Sequence, residues 1–150
     1  MIIVGIDPGI NGGLALMNAG HVDGVWPMPV IEKGMDARAI KNILIDIDLV
    51  VMEKVHAMMG QGVTSMFHFG VGYGMIQGIV MTLGIPLRLV TPQAWKKEIL
   101  VGTTKDKAAS IDYCKRVYPY INLIPAGKRK PHDGCADACC ISEFGLRKYV

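Results

Sequence analysis

Met1-Ile2-Ile3-Val4-Gly5-Ile6-Asp7-Pro8-Gly9 opens the chain as an unbroken apolar run that stops on a carboxylate and a turn. Apolar residues without polar alternation mark a strand buried on both faces. The aspartate at its end stands at the edge of a core, where an uncompensated charge costs on the order of several kcal/mol. Asp7 therefore calls for a cation, and the chain offers further acids instead of a base. Leu49-Val50-Val51-Met52 is a second continuous apolar run, and it ends in the same manner on Glu53. If the two strands are neighbours, their backbones run about 4.8 Å apart and both carboxylates reach one ion.

Asp133 and Asp137 lie close together near the C-terminus, four residues apart and so on one helical face. Like charges so placed repel by about 0.2–0.5 kcal/mol. Asp133, just past Pro131, also suits a helix N-cap. Asp137 shares its face with Cys140, Ile141 and Phe144, so it points toward the packed side, where a carboxylate requires a cation or strong hydrogen bonds. Together Asp7, Glu53, Asp133 and Asp137 read as a divalent-metal site of hard oxygen donors.

At 150 residues the chain predicts a single domain, 1–150, with a core that needs no staples. Its apolar fraction of 51% suits a sheet covered on both faces or a monomer that buries more surface in a dimer. The most apolar stretch, Val71 to Val90, is broken by Gly72, Gly74, Gln77, Gly78, Gly84, Pro86 and Arg88, which predicts no membrane span. No positive region precedes the first apolar run, so the expected location is the cytosol. Cys114, Cys135, Cys139 and Cys140 are then expected to be reduced thiols packing a helix. His132, Cys135 and Cys139 lack a fourth ligand at zinc-site spacing.

Charge is unevenly placed. Residues 88–150 hold twelve Lys/Arg against six Asp/Glu, whereas residues 1–87 hold four against seven. The basic half includes Lys96, Lys97, Lys105, Lys107, Lys115, Arg116 and the run Lys128-Arg129-Lys130. Beside an acidic metal site, such a half points to a polyanionic substrate whose phosphate is processed.

Turn residues and periodicity predict strands at about 13–17 and 21–26, joined as a hairpin through Asn18-Ala19-Gly20. A helix capped by Asp36 follows, then the strand ending on Glu53, a loop over 54–62 and a long helix to Thr82. A strand over 86–90, a short helix opened by Pro92, and helices at 105–117 and 133–148 complete the chain. The expected class is α/β, a five-stranded mixed sheet flanked by helices. Its first three strands are antiparallel, and its fourth and fifth are parallel.

The strand that ends in Asp7-Pro8-Gly9, Glu53 at the end of a central strand, and His132-Asp133-Gly134-Cys135-Ala136-Asp137-Ala138 resemble, as a set and in order, the RuvC family of Holliday junction resolvases. The compact length is nearer to virus-encoded members, for which the location would be the host cytoplasm. The resemblance implies an RNase H-like fold and a homodimer that cuts opposed strands of a four-way DNA junction by paired symmetric nicks. It implies two magnesium ions per site, with manganese able to substitute, and neither membrane nor nucleotide cofactor. The products it implies are a 5′-phosphate and a 3′-hydroxyl.

On the same resemblance, Asp7 bridges two metals, Glu53 completes one site and Asp137 holds the other. Asp133, four before the final aspartate where many members have three, takes the fourth place, with His132 as an alternative. Lys97 and Lys107 match family lysines near the scissile phosphate and backbone, and Lys96 substitutes if the register is off by one. Lys105, Lys128, Arg129 and Lys130 join them as DNA-binding residues. The chain departs from bacterial relatives at His56, followed by Ala57-Met58-Met59, where they carry an aromatic on the loop that enters the junction centre. The family also suggests that one face of the long helix forms the dimer contact.

Two other readings compete. A debranching nuclease would act on forks, flaps and three-way junctions as well. The Asp7-Pro8-Gly9…Gly12-Gly13 turn also resembles the first phosphate loop of actin-like ATPases, but the chain offers no second phosphate hairpin.

Overall fold

The computed structural model describes all 150 residues. Strand β1 (Ile2–Asp7) is the central strand of a five-stranded sheet. On one side it pairs antiparallel with β2 (Gly13–Asn18), which pairs antiparallel with β3 (His21–Pro27). The β2–β3 turn takes left-handed backbone at Ala19 and Gly20, matching the twist of a tight hairpin. A two-stranded ribbon of β4 (Val30–Ile31) and β5 (Gly34–Met35) follows, then helix α1 (Ala37–Ile43), capped by the Asp36 carboxylate, which accepts from the Arg38 and Ala39 amides. Strand β6 (Leu49–Glu53) returns parallel beside β1. Helix α2 (Val63–Thr82) leads to β7 (Leu87–Val90), parallel to β6. Helices α3 (Pro92–Ile99), α4 (Ala109–Val117) and α5 (Asp133–Tyr149) close the chain.

Two expectations need correction. The sequence pattern does not predict the ribbon, which makes the two parallel strands the sixth and seventh of the chain, not the fourth and fifth. Strands of two residues are too short to show any period. The helix expected from Lys105 begins only at Ala109. Asp106 is the reason: its Oδ1 accepts from the Ala108 and Ala109 amides at 3.0 and 3.1 Å, and its Oδ2 accepts from the Thr104 hydroxyl at 2.8 Å. This local bonding competes with helix, and Lys105 turns to positive φ.

Alternation along the central strands divides the core. Val4, Ile6, Val50 and Met52 point to the α1–α2 side with Ile40, Leu44, Ile76 and Val80. Ile3 and Val51 point to the other side, where Trp95, Tyr113, Cys139, Ile141 and Phe144 cover them. All four cysteines are buried and unbonded. Helix α5 crosses the sheet at close range because small residues face each other there. A Cβ on Gly5 would collide with the Ala138 carbonyl oxygen and the Ser142 amide, and one on Gly134 would meet the backbone of Asn11 and Gly12.

Helix α2 is apolar all round yet only half covered. Val63, Phe67, Val71 and Met81 are exposed, and Gly70, Gly74 and Gly78 open onto empty space. No helix is long and apolar enough to cross a membrane.

Candidate active site

The register places the first two carboxylates. Ile6 pairs with Met52, so Asp7 and Glu53 occupy the next level of adjacent parallel strands, at the carboxyl edge of the sheet. Both follow residues that face the α1–α2 side, so both project toward α5. Carboxyl edges of α/β sheets are where ligands bind.

The close seat of α5 brings up the other pair. Its N-cap is His132, whose Nδ1 accepts from the Cys135 amide at 3.1 Å. Asp133 is the first helical residue rather than the cap; it is exposed, and its Oδ1 accepts from the Gly134 amide at 3.0 Å. Asp137, one turn on, is half-buried, and the nearby Ser110 hydroxyl favours its charged form.

The four carboxylates share one electrostatic field. Burial pushes Asp7 up to about 7, reinforced by the charges of Asp137, Glu53 and Asp133. Glu53 and Asp137 are also raised above the usual carboxylate range, chiefly by burial. Cys135, buried beside Asp7 and Asp133, is pushed up to about 12. Lys96 is the one cation among the leading influences on Asp7, Glu53 and Asp137, and it lowers all three. One ammonium against four acids leaves an excess of negative charge.

That excess is the test of fit for a divalent ion. The donors are hard oxygens, the ligand chemistry of magnesium. The side chains nevertheless do not converge: no three acids, histidines or cysteines close up as a ready-made ligand shell. The residues fit the ion by charge and donor type, with side-chain adjustment left to its binding.

Other predicted residues lie farther out. Lys97, Lys105 and Lys107 are exposed, and none is among the leading influences on Asp7, Glu53 or Asp137. Adjacent residues on a helix point about 100° apart, so docking of α3 selects Lys96 for the site and turns Lys97 outward. The run Lys128-Arg129-Lys130 sits in an exposed loop whose base is closed by the His132 amide donating to the Leu123 carbonyl at 2.8 Å. The basic run is thereby tied to the cap of α5. His56 is exposed on the loop after Glu53 and shares with Met58, Gln61 and Phe69 a cleft of about 300 Å³.

Two residues went unnoticed in the sequence. Trp95, fully buried on α3, donates its indole N–H to Glu53 Oε2 at 2.7 Å. Ser110, also buried, supports Asp137. A tryptophan beside a lysine pair was the available signal, because a buried indole N–H requires an acceptor.

No family model matches the chain, and no curated protein matches it in sequence. Solved structures do. Thermus thermophilus RuvC in complex with a Holliday junction substrate superposes with a TM-score of 0.69 at 16% identity, over 99% of this chain and 96% of that one. The fold is that of the RuvC-type resolvases. The fowlpox virus Holliday junction resolvase aligns over 98% of this chain and 99% of its own, with a TM-score of 0.60 and 18% identity. The yeast mitochondrial resolvase covers 97% of this chain and is covered over 77%, with a TM-score of 0.55 and 12% identity. This fold carries Asp7 and Glu53 at its sheet edge and Asp133 and Asp137 on the helix packed across it.

Proposed function

We propose that the chain is a magnesium-dependent endonuclease that resolves four-way DNA junctions by paired symmetric nicks, acting as a homodimer. The observation that carries this reading is the field around Asp7, where three further carboxylates and a single lysine surround a half-buried acid. DNA binding alone gains nothing from inward acids that repel phosphate. The fold likeness to resolvases, two of them bound to junction DNA, supports the choice of substrate.

Asp7, Glu53, Asp133 and Asp137 would hold two magnesium ions, which when bound supply an activated water and stabilise the leaving 3′-oxygen. Trp95 keeps Glu53 oriented by its indole hydrogen bond, and the Ser110 hydroxyl favours the charged form of Asp137. Lys96 sets an ammonium beside the acids, where it stabilises charge that develops on the phosphate. Lys128, Arg129 and Lys130 grip the backbone flanking the cut, and His56 with Met58 meets the bases at the junction centre. The bare apolar stripe of α2 is the surface that a second copy would cover.

The test offers four-way, three-way, flap and linear DNA to the purified protein with magnesium. Symmetric nicks confined to four-way junctions are expected, and equal cutting of flaps would replace this reading with a general debranching nuclease. Asp7→Asn is expected to bind junctions and to cut them on the order of a thousandfold more slowly, about 4 kcal/mol of lost stabilisation.

A further inference from the structure

Trp95 stands out among the residues that touch the acidic site because it has one polar atom and spends it there. An indole nitrogen only donates, so its single hydrogen bond determines what the ring can hold. The bond to Glu53 Oε2 is 2.7 Å long, at the short, charge-assisted end for N–H to oxygen. The ring is fully buried in the cluster that contains Val51, Val90, Ile99 and Leu100, so packing on several sides fixes its orientation. Helix α3 is itself held at its start, with Pro92 at its first turn and the Thr91 hydroxyl accepting from the Ala94 amide at 3.3 Å. A rigid ring on a rigid helix thus takes one oxygen of Glu53 and leaves Oε1 free.

The next residue completes the arrangement. Lys96 Nζ lies 5.2 Å from the centroid of the Trp95 ring, within cation–π range. The indole therefore orients the glutamate through its edge and steadies the site's lysine through its face.

We propose that Trp95 is the positioning residue of this site, holding Glu53 by Oε2 so that Oε1 is presented to the divalent ion. The proposal rests on the metal-dependent nuclease reading above. Outer hydrogen bonds of this type typically change metal affinity or activity by about 10–100-fold.

The experiment compares the full chain with Trp95→Phe, which keeps an aromatic ring and loses the donor, and Trp95→His, which restores a ring N–H. Manganese affinity is measured by calorimetry, junction binding is measured in chelator, and cleavage is followed against magnesium concentration. Trp95→Phe is expected to bind manganese about tenfold more weakly and to need correspondingly more magnesium. Its junction binding in chelator should match the parent, and Trp95→His should recover part of the lost affinity.

Unchanged manganese affinity and magnesium dependence in Trp95→Phe overturn the proposal. An equal loss of junction binding in chelator also overturns it, since that marks a merely structural role. A second measurement spares Trp95: in Trp26→Phe, magnesium should shift the emission of the remaining tryptophan. A silent spectrum in protein that cuts junctions sinks the proposal and leaves the nuclease standing. Parent protein that neither binds manganese nor cuts DNA brings both down.

Discussion

Asp7 and Glu53 are carried by hydrogen-bonded strands, whereas Asp133 and Asp137 are carried by a helix laid across them. In the strand pair, the β1–β6 register alone sets the spacing, and any sequence that keeps the sheet keeps the pair. In the helix pair, position depends on side chains that are absent. Gly5, Gly13 and Gly134 let the backbone of α5 meet that of the sheet and its turn, and a methyl group at any of them meets main-chain atoms at 3.0 Å or less. One half of the site is built by hydrogen bonds and the other by close packing, so the two halves should fail separately.

Gly5→Ala separates them most sharply. The obstacles are the Ala138 carbonyl and the Ser142 amide, which no rotamer change relieves. Overpacking of this kind costs about 1–3 kcal/mol. Denaturant unfolding should show a loss of about that size, and manganese binding should weaken beyond what partial unfolding explains, because α5 shifts away from an intact strand pair. Gly74→Ala provides the contrast. Its Cβ meets open space on α2, and helix propensity favours alanine by up to about 1 kcal/mol. Gly5→Ala as stable as the parent would mean that the helix is not seated by backbone contact.

Lys96 is the cation common to both halves, since it lowers Asp7 and Glu53 on the strands and Asp137 on the helix. Lys96→Ala is expected to slow cleavage about 100-fold, the scale of losing one donor to developing charge. Lys97→Ala, at an exposed position, should change it by no more than about threefold, as single-turnover rates on a four-way junction would show. Reversed effects would move the active cation one residue along α3 and restore the register implied by the family resemblance.

The strand half was legible because the same residues that form each strand also end it on an acid. Ile2 to Ile6 and Leu49 to Met52 are continuous, and Asp7 and Glu53 stop them at matching levels. The helix half was legible only in part. Cys140, Ile141 and Phe144 showed which way Asp137 faces, but the cap lay one residue earlier than expected, at His132. Histidine and aspartate both accept from a helix N-terminus, and only the docked geometry chooses between them. Trp95 and Ser110 escaped because each acts on a residue more than twenty positions away, through contacts that no local pattern encodes. Lys96 and Lys97 stayed unresolved for the same reason.

The smallest effect distinguishes a half-buried acid from an exposed one. Asp7 is raised to about 7, so between about pH 4 and 7 the native state holds a proton that the unfolded chain has released. Metal-free stability must therefore fall as pH rises through that window, with the full cost present above it. Asp7→Asn removes the titration. In chelator, its melting temperature should match the parent near pH 4 and exceed it by about 5 °C at pH 8, equivalent to about 2 kcal/mol once partial solvent access is discounted. Asp133→Asn, at an exposed position, should stay within about 0.5 kcal/mol of the parent at both pH values. A melting temperature of Asp7→Asn that tracks the parent across the window would show that Asp7 is not held against its charge, and the strand half would need no cation of its own.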